Sequence, residues 1–159
     1  MGPFFFSAIN YPQPMKIATA ADMHSLGMRI GSHCVAGDLI LLNGPLGAGK
    51  TVLVQGIGES LGINDVTSPT FVISRIHKAA LPLIHVDAYR LLEGGQAALY
   101  LDDLDLDSPR EGAVTVIEWG GEESARLSDE RLEIVIDRTD EVREVTITPV
   151  GQRWQGFSA

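Results

Sequence analysis

The chain has 159 residues, 45% hydrophobic and 21% charged, which is one globular domain with enough length to bury a core. Twelve basic against 21 acidic residues give a net charge of −9, so the surface repels phosphate backbones and direct DNA binding is not expected. One cysteine, Cys34, excludes an internal disulfide and a cysteine-based zinc site and fits a cytoplasmic location; no apolar run is long enough for a membrane helix.

Residues 1–14 carry the run Phe4-Phe5-Phe6 without a basic flank or a long apolar stretch. They read as a disordered extension, not a signal peptide. Met15 opens a more regular stretch, and the domain is expected to span residues 15–150. Thr19 with Asp22 three residues on has the form of a capping box. Met23, Leu26, Ile30 and Cys34 follow at helical spacing, and Ala36-Gly37 ends that helix. The apolar run Asp38 to Asn43 reads as a strand buried on both faces. After a glycine-rich turn from Gly44 to Gly49, Lys50 to Leu61 reads as a helix. Leu53, Ile57 and Leu61 form its stripe, and Gly62 stops it.

Phe71 to His77 and Leu83 to Val86 read as strands joined by a turn at Leu81-Pro82. Gly94 to Tyr100 fits a short helix. Residues 101–112, with Asp102, Asp103, Asp105 and Asp107, form an acidic loop without the spacing of a calcium site. Ala113 to Glu118 is a buried strand, and Gly120-Gly121 separates it from a short polar helix near residues 122–127. Leu132, Ile134 and Ile136, then Val145 and Ile147, alternate with polar residues around a turn at Thr139-Asp140-Glu141. This is an antiparallel hairpin. The tail, residues 151–159, is expected to be loose. The order of elements points to a single α/β domain with a mixed β-sheet flanked by helices.

Gly44-Pro45-Leu46-Gly47-Ala48-Gly49-Lys50-Thr51 matches G-x-x-x-x-G-K-[ST] in full. Glycines let the backbone take torsions that side chains forbid, so amides can approach phosphate oxygens. The helix starting at Lys50, with Val52 in its first turn, adds its positive end. Lys50 reaches the β- and γ-phosphates, and the Thr51 hydroxyl can ligate Mg²⁺. The strand before and the helix after supply the context the motif requires. The motif specifies a nucleotide phosphate, not a reaction.

Such a site needs a further metal anchor at the end of a neighbouring strand. Asp87 and Glu118 both stand at strand ends; either can serve the metal, and the other can orient the attacking water. His85, between apolar neighbours, reads as a structural histidine. Arg90 fits a phosphate contact, a partner contact or a surface ion pair, and it follows Tyr89. Trp119 reads as packing beside the site. Thr67-Ser68-Pro69-Thr70 lies where a switch segment can place a hydroxyl near the γ-phosphate, or is an ordinary turn. No asparagine begins the N-K-x-D guanine motif, which favours ATP.

GPLGAGKT at Gly44–Thr51, TSPTF at Thr67–Phe71, HVDAYRL at His85–Leu91, LDDLDL at Leu101–Leu106 and VIEW at Val116–Trp119 together resemble the bacterial TsaE (YjeE) family. The likeness runs from about Thr19 to about Pro149. The phosphate loop is widely shared; the combination SPT-F, H-x-D-x-YR and EW is far more specific. The resemblance implies a small P-loop NTPase domain and a weak Mg²⁺-dependent ATPase that acts with a TsaB–TsaD complex to make threonylcarbamoyladenosine in tRNA. It implies that tRNA is met through that complex. Lys50 and Thr51 match the loop pair, Asp87 the Mg²⁺-side aspartate, Glu118 the glutamate needed for activity, and Thr70, beside Ser68, the switch-like threonine. The alternatives are a small-molecule kinase and a non-catalytic nucleotide-sensing module. A kinase needs several cations on the transferred phosphoryl; here the lysines are only Lys16, Lys50 and Lys78, and Arg75, Arg90 and Arg110 are scattered.

Overall fold

The structure, a computed structural model, describes residues 12–45, 47–66, 74–87, 110–118, 128–138 and 140–159. The expected helices at 94–100 and 122–127 and the acidic stretch Asp102–Asp107 lie outside the described residues.

The chain begins with β1 (Met15–Ile17) and α1 (Ala20–Ser32), followed by β2 (Leu39–Asn43) and α2 (Lys50–Ser60). Then come β3 (Ser74–His77), β4 (Leu83–Asp87), β5 (Val114–Glu118), β6 (Arg131–Asp137) and β7 (Arg143–Val150). The strands form one seven-stranded sheet in the order β1-β7-β6-β2-β5-β4-β3. Strands β6, β2, β5 and β4 run parallel; β7 and β3 run against their neighbours. The parallel strands all finish at one end of the sheet, where ligand sites of such sheets form.

Local chemistry explains the pieces. Thr19 accepts the Asp22 amide at 3.0 Å and caps α1, a bond worth about 1 kcal/mol. Met23, Leu26, Gly27, Ile30 and Gly31 form the buried stripe of α1. Every residue of β5, and Leu39–Leu42 of β2, is buried, as parallel strands covered on both faces must be. Leu132, Ile134 and Ile136 of β6 face the core in alternation. The antiparallel hairpin β6–β7 is present as expected, with Ile134 opposite Ile147. Its first strand also pairs parallel with β2, so the hairpin is built into the sheet rather than appended to it.

The structure differs from the sequence reading at both ends of the domain. Residues 15–17 form an edge strand, three residues being too few to show a period. Helix α1 stops at Ser32 rather than at Ala36-Gly37, because Asp38 Oδ2 accepts the Val35 amide at 2.8 Å and turns the chain early. The tail is not loose. Gln152–Trp154 forms a 3₁₀ turn, and Trp154 is 1% exposed. The Arg153 guanidinium donates to both oxygens of Asp38, at 2.9 and 2.8 Å, and to the His33 carbonyl at 2.6 Å. Phe157 packs edge-on against both Trp154 and His33. The tail therefore clamps the turn between α1 and β2.

Helices α1 and α2 pack backbone to backbone. A Cβ at Gly27 would stand 3.0 Å from the Gly56 Cα and the Ile57 nitrogen, and one at Gly31 would stand 2.8 Å from the Ile57 carbonyl. Only glycine permits this seam. No helix among the described residues is long and apolar enough to cross a membrane.

Candidate functional site

Strand β2 ends at Asn43, and the chain turns through residues 44–49 into α2. Gly47 has φ +76° and Gly49 φ +104°, left-handed torsions that cost other residues about 1–2 kcal/mol each. A Cβ at Gly44 would stand 3.0 Å from the Ile136 carbonyl and 3.3 Å from the Ala48 methyl, so the loop is seated against β6. The Ala48 amide donates to the Pro45 carbonyl at 3.1 Å, and the Leu53 amide to Gly49 at 3.0 Å starts the helix. Gly49 offers no side chain to cap α2. A helix start without a side-chain cap presents amides and a positive dipole end to an anion. Leu46 lies outside the described residues.

Lys50 is buried at the root of this loop. Its Nζ donates to the Gly44 carbonyl, and to that of Pro45 at 3.5 Å. Burial pulls the ammonium's pKa below its ordinary value, while Glu118 and then Asp87 pull it back up. The lysine is thus a cation in a water-poor place, facing two carboxylates. Thr51 follows it in the first turn of α2, half-buried.

Sheet register brings those carboxylates together. Asp87 of β4 lies opposite Glu118 of β5, and Glu118 opposite Leu42 of β2. Residues paired across strands share a face, and neighbouring strands lie about 4.8 Å apart. Both acids therefore stand on one face, at the strand ends beside the loop. Glu118 is 4% exposed, while Asp87 is half-buried. Strand β5 is the immediate neighbour of β2 and β4 the next strand out, so Glu118 stands nearer the loop.

Two features of the site were missed or undervalued in the sequence. His85 shares the face of Asp87 two residues on, and its Nε2 lies 3.0 Å from Glu118 Oε2 with both side chains buried. It is a partner of the site as well as a core residue. Arg143, at the start of β7, donates from Nη2 to the Gly47 carbonyl at 3.0 Å, across 96 positions of sequence. Arg138, after β6, packs its guanidinium over Gly47, where a Cβ would collide with it. No motif marks these arginines. Once β6 is known to run parallel beside β2, its end must fall near the loop, and the turn residues follow. A cleft of about 220 Å³ opens beside the loop, with Met23, Ala48 and Val52 as apolar lining and Thr19 and Arg143 as polar groups.

Among the described residues no three His, Cys, Asp or Glu side chains form a ready-made metal cage. A hydroxyl and one or two carboxylates beside a phosphate cradle are instead the donor set suited to Mg²⁺, which keeps waters and takes phosphate oxygens as further ligands. Thr51, Asp87 and Glu118 fit that set. Ser68, Thr70, Tyr89, Arg90 and Trp119 lie outside the described residues.

Comparison with known proteins identifies a family. The family model for "Threonylcarbamoyl adenosine biosynthesis protein TsaE" matches residues 17–145. A Streptomyces coelicolor protein named tRNA threonylcarbamoyladenosine biosynthesis protein TsaE is 48% identical over 141 residues, covering 83% of this chain and 93% of its own. The Bacillus subtilis protein of the same name is 42% identical over 123 residues, covering 75% of this chain and 74% of its own. The crystal structure of Bacillus subtilis YdiB superposes with a TM-score of 0.73 at 32% identity, covering 92% of this chain and 93% of that one. The loop, the strand-end acids and these matches converge: the chain belongs to the TsaE family.

Proposed function

We propose that this chain is the ATP-hydrolysing subunit in the formation of threonylcarbamoyladenosine in tRNA, binding Mg·ATP at residues 44–52 and acting on a TsaB–TsaD complex. The observation that carries the reading is the position of Lys50. It is buried in the mouth of a glycine loop and is balanced by Glu118 and Asp87 at adjacent strand ends. The names of the relatives supply the pathway.

Each residue has a physical task. The loop amides and the start of α2 hold the phosphate chain. Lys50 transfers its hydrogen bonds from the loop carbonyls to β- and γ-oxygens, a stronger charge-assisted interaction. The Thr51 hydroxyl and the Asp87 carboxylate stand where Mg²⁺ would be held, and the metal when bound neutralises phosphate charge. Glu118, fixed and nearly dry, orients the attacking water. The cleft formed by Met23, Val52 and Thr19 suits the flat, largely apolar base with its ribose. The net charge of −9 suits docking on a protein complex better than direct contact with tRNA. The chemistry belongs in the cytoplasm, where tRNA and ATP are found together.

The test is a reconstituted system holding tRNA, the carbamoyl-adenylate synthase, TsaB and TsaD. Modified-nucleoside yield is followed over many cycles without this chain, with it, and with its Lys50→Ala form. Repeated turnover only with the intact chain is the expected result. A yield indifferent to the chain would overturn the reading.

A further inference from the structure

We propose that His85 is a positioning residue that fixes the Glu118 carboxylate for its task at the site. This rests on the reading of Glu118 as the group that orients water.

An ionised carboxylate only accepts hydrogen bonds. In the 3.0 Å contact with Glu118 Oε2, His85 Nε2 therefore carries the hydrogen and donates. Among the described residues the other ring nitrogen, Nδ1, is buried and meets no hydrogen-bond partner. The imidazole thus spends its polar capacity on a single bond. Its neighbours Ile84 and Val86 show what this strand uses for packing alone, both buried and both aliphatic. A histidine with one orphaned nitrogen is a costlier filler than either, since buried polar atoms without partners are penalised. The gain is at Glu118. A glutamate has three side-chain torsions, and its terminal one is broad and soft. Pinning Oε2 from β4 removes that freedom and leaves Oε1 for the water. Lys50 draws on the same carboxylate from the α2 side. Glu118 is thus fixed by one hydrogen bond from β4 and lies in the field of a cation on α2, as preorganised sites require.

The geometry supplies a discriminating pair of substitutions. A glutamine amide nitrogen reaches about as far as the ring Nε2; an asparagine nitrogen stops near Nδ1. ATP turnover is measured on the full chain in the reconstituted system, beside equilibrium binding of a non-hydrolysable ATP analogue with Mg²⁺ and the melting temperature of each variant. His85→Asn should lower kcat by about 10- to 100-fold with analogue binding nearly unchanged, the range seen when a group supporting a site ligand is removed. His85→Gln should recover most of that loss. Equal turnover in the two variants would overturn the proposal, as would a loss of kcat that tracks analogue affinity or melting temperature. Should His85→Asn fail to fold, a folded His85→Gln with turnover reduced tenfold or more overturns it equally. Glu118→Gln separates the two layers. If that variant turns over normally, the reading of Glu118 falls and takes His85 with it. If it is inactive while His85→Asn is not, only the role of His85 falls.

Discussion

Gly27→Ala sets helix propensity directly against packing. Glycine costs a helix interior about 1 kcal/mol relative to alanine. Propensity alone therefore predicts a more stable protein. The structure predicts the opposite. The new methyl would meet the Leu53 carbonyl oxygen, the Gly56 Cα and the Ile57 nitrogen, the last two at 3.0 Å. Ordinary contact begins at 3.4 Å. All three obstacles are backbone of α2, so no rotamer change relieves them. The helices must part, by roughly 1 Å at the oxygen, and overpacking of this kind costs about 1–3 kcal/mol or more. With three backbone atoms in the way the cost falls at the upper end, about 3 kcal/mol, so after the propensity gain the net loss is about 2 kcal/mol, or about 4–8 °C in melting temperature for a domain of this size. Because α2 carries Lys50 and Thr51 at its first turn, the same displacement should weaken binding of an ATP analogue. The assay is thermal unfolding by circular dichroism, with analogue binding alongside. Gly112→Ala is the control, since no described residue lies within 4 Å of the added methyl there; it should be neutral or slightly stabilising. A Gly27→Ala protein that melts at or above the wild-type temperature would refute the packing argument.

Arg143→Ala removes the 3.0 Å bond to the Gly47 carbonyl. Analogue affinity should fall by about fivefold, since an exposed bond of this kind is worth about 1 kcal/mol, and calorimetric titration would show whether it does. Trp154→Ala empties a site that is 1% exposed; it should cost about 3–5 kcal/mol, read as a lowered urea midpoint. An unchanged midpoint would mean the tail carries no stability. Burial pushes the Cys34 thiol up to about 12, with Asp38 adding to the shift and Arg153 opposing it. The folded protein should be inert to Ellman's reagent at pH 8 and react only on unfolding. Rapid labelling of the native state would contradict the closed tail.

What could be read from the sequence was what local physics writes there. The eight residues from Gly44 to Thr51 carry their chemistry in one contiguous string. The strands Leu39–Asn43 and Val114–Glu118 are apolar throughout because both faces are covered. Strand β6 alternates because one of its faces is covered, while on β7 Val145 is buried and Ile147 packs partly against the core. The strand-end acids Asp87 and Glu118 were legible as candidates, but their juxtaposition depends on register between β4 and β5, which leaves no local pattern. The bond from His85 to Glu118 and that from Arg143 to Gly47 span 33 and 96 positions. Neither has a period to betray it. The tail is the instructive failure. It lacks any helical or strand period, yet a tryptophan in an otherwise polar segment is a burial signal in its own right.

These long-range contacts have a common effect on the phosphate loop. On one side, the glycine seam fixes α2 to α1, whose first turn lines the cleft through Thr19 and Met23. On the other, Gly44 is seated against Ile136 of β6, and Arg143 of β7 holds the Gly47 carbonyl. The hairpin that provides these braces is itself tied down, since the Arg153 amide donates to Glu130 at 2.6 Å while its guanidinium grips Asp38 ahead of β2. A loop with two left-handed glycines would be costly to order at the moment of binding. Here the ordering is carried by tertiary packing, which under the proposed function would leave ligand binding energy for the phosphates. Sequence distance and functional distance are therefore inverted. On the proposed reading, the residues that would recognise phosphate are adjacent in the chain, while those that brace them come from far along it on either side.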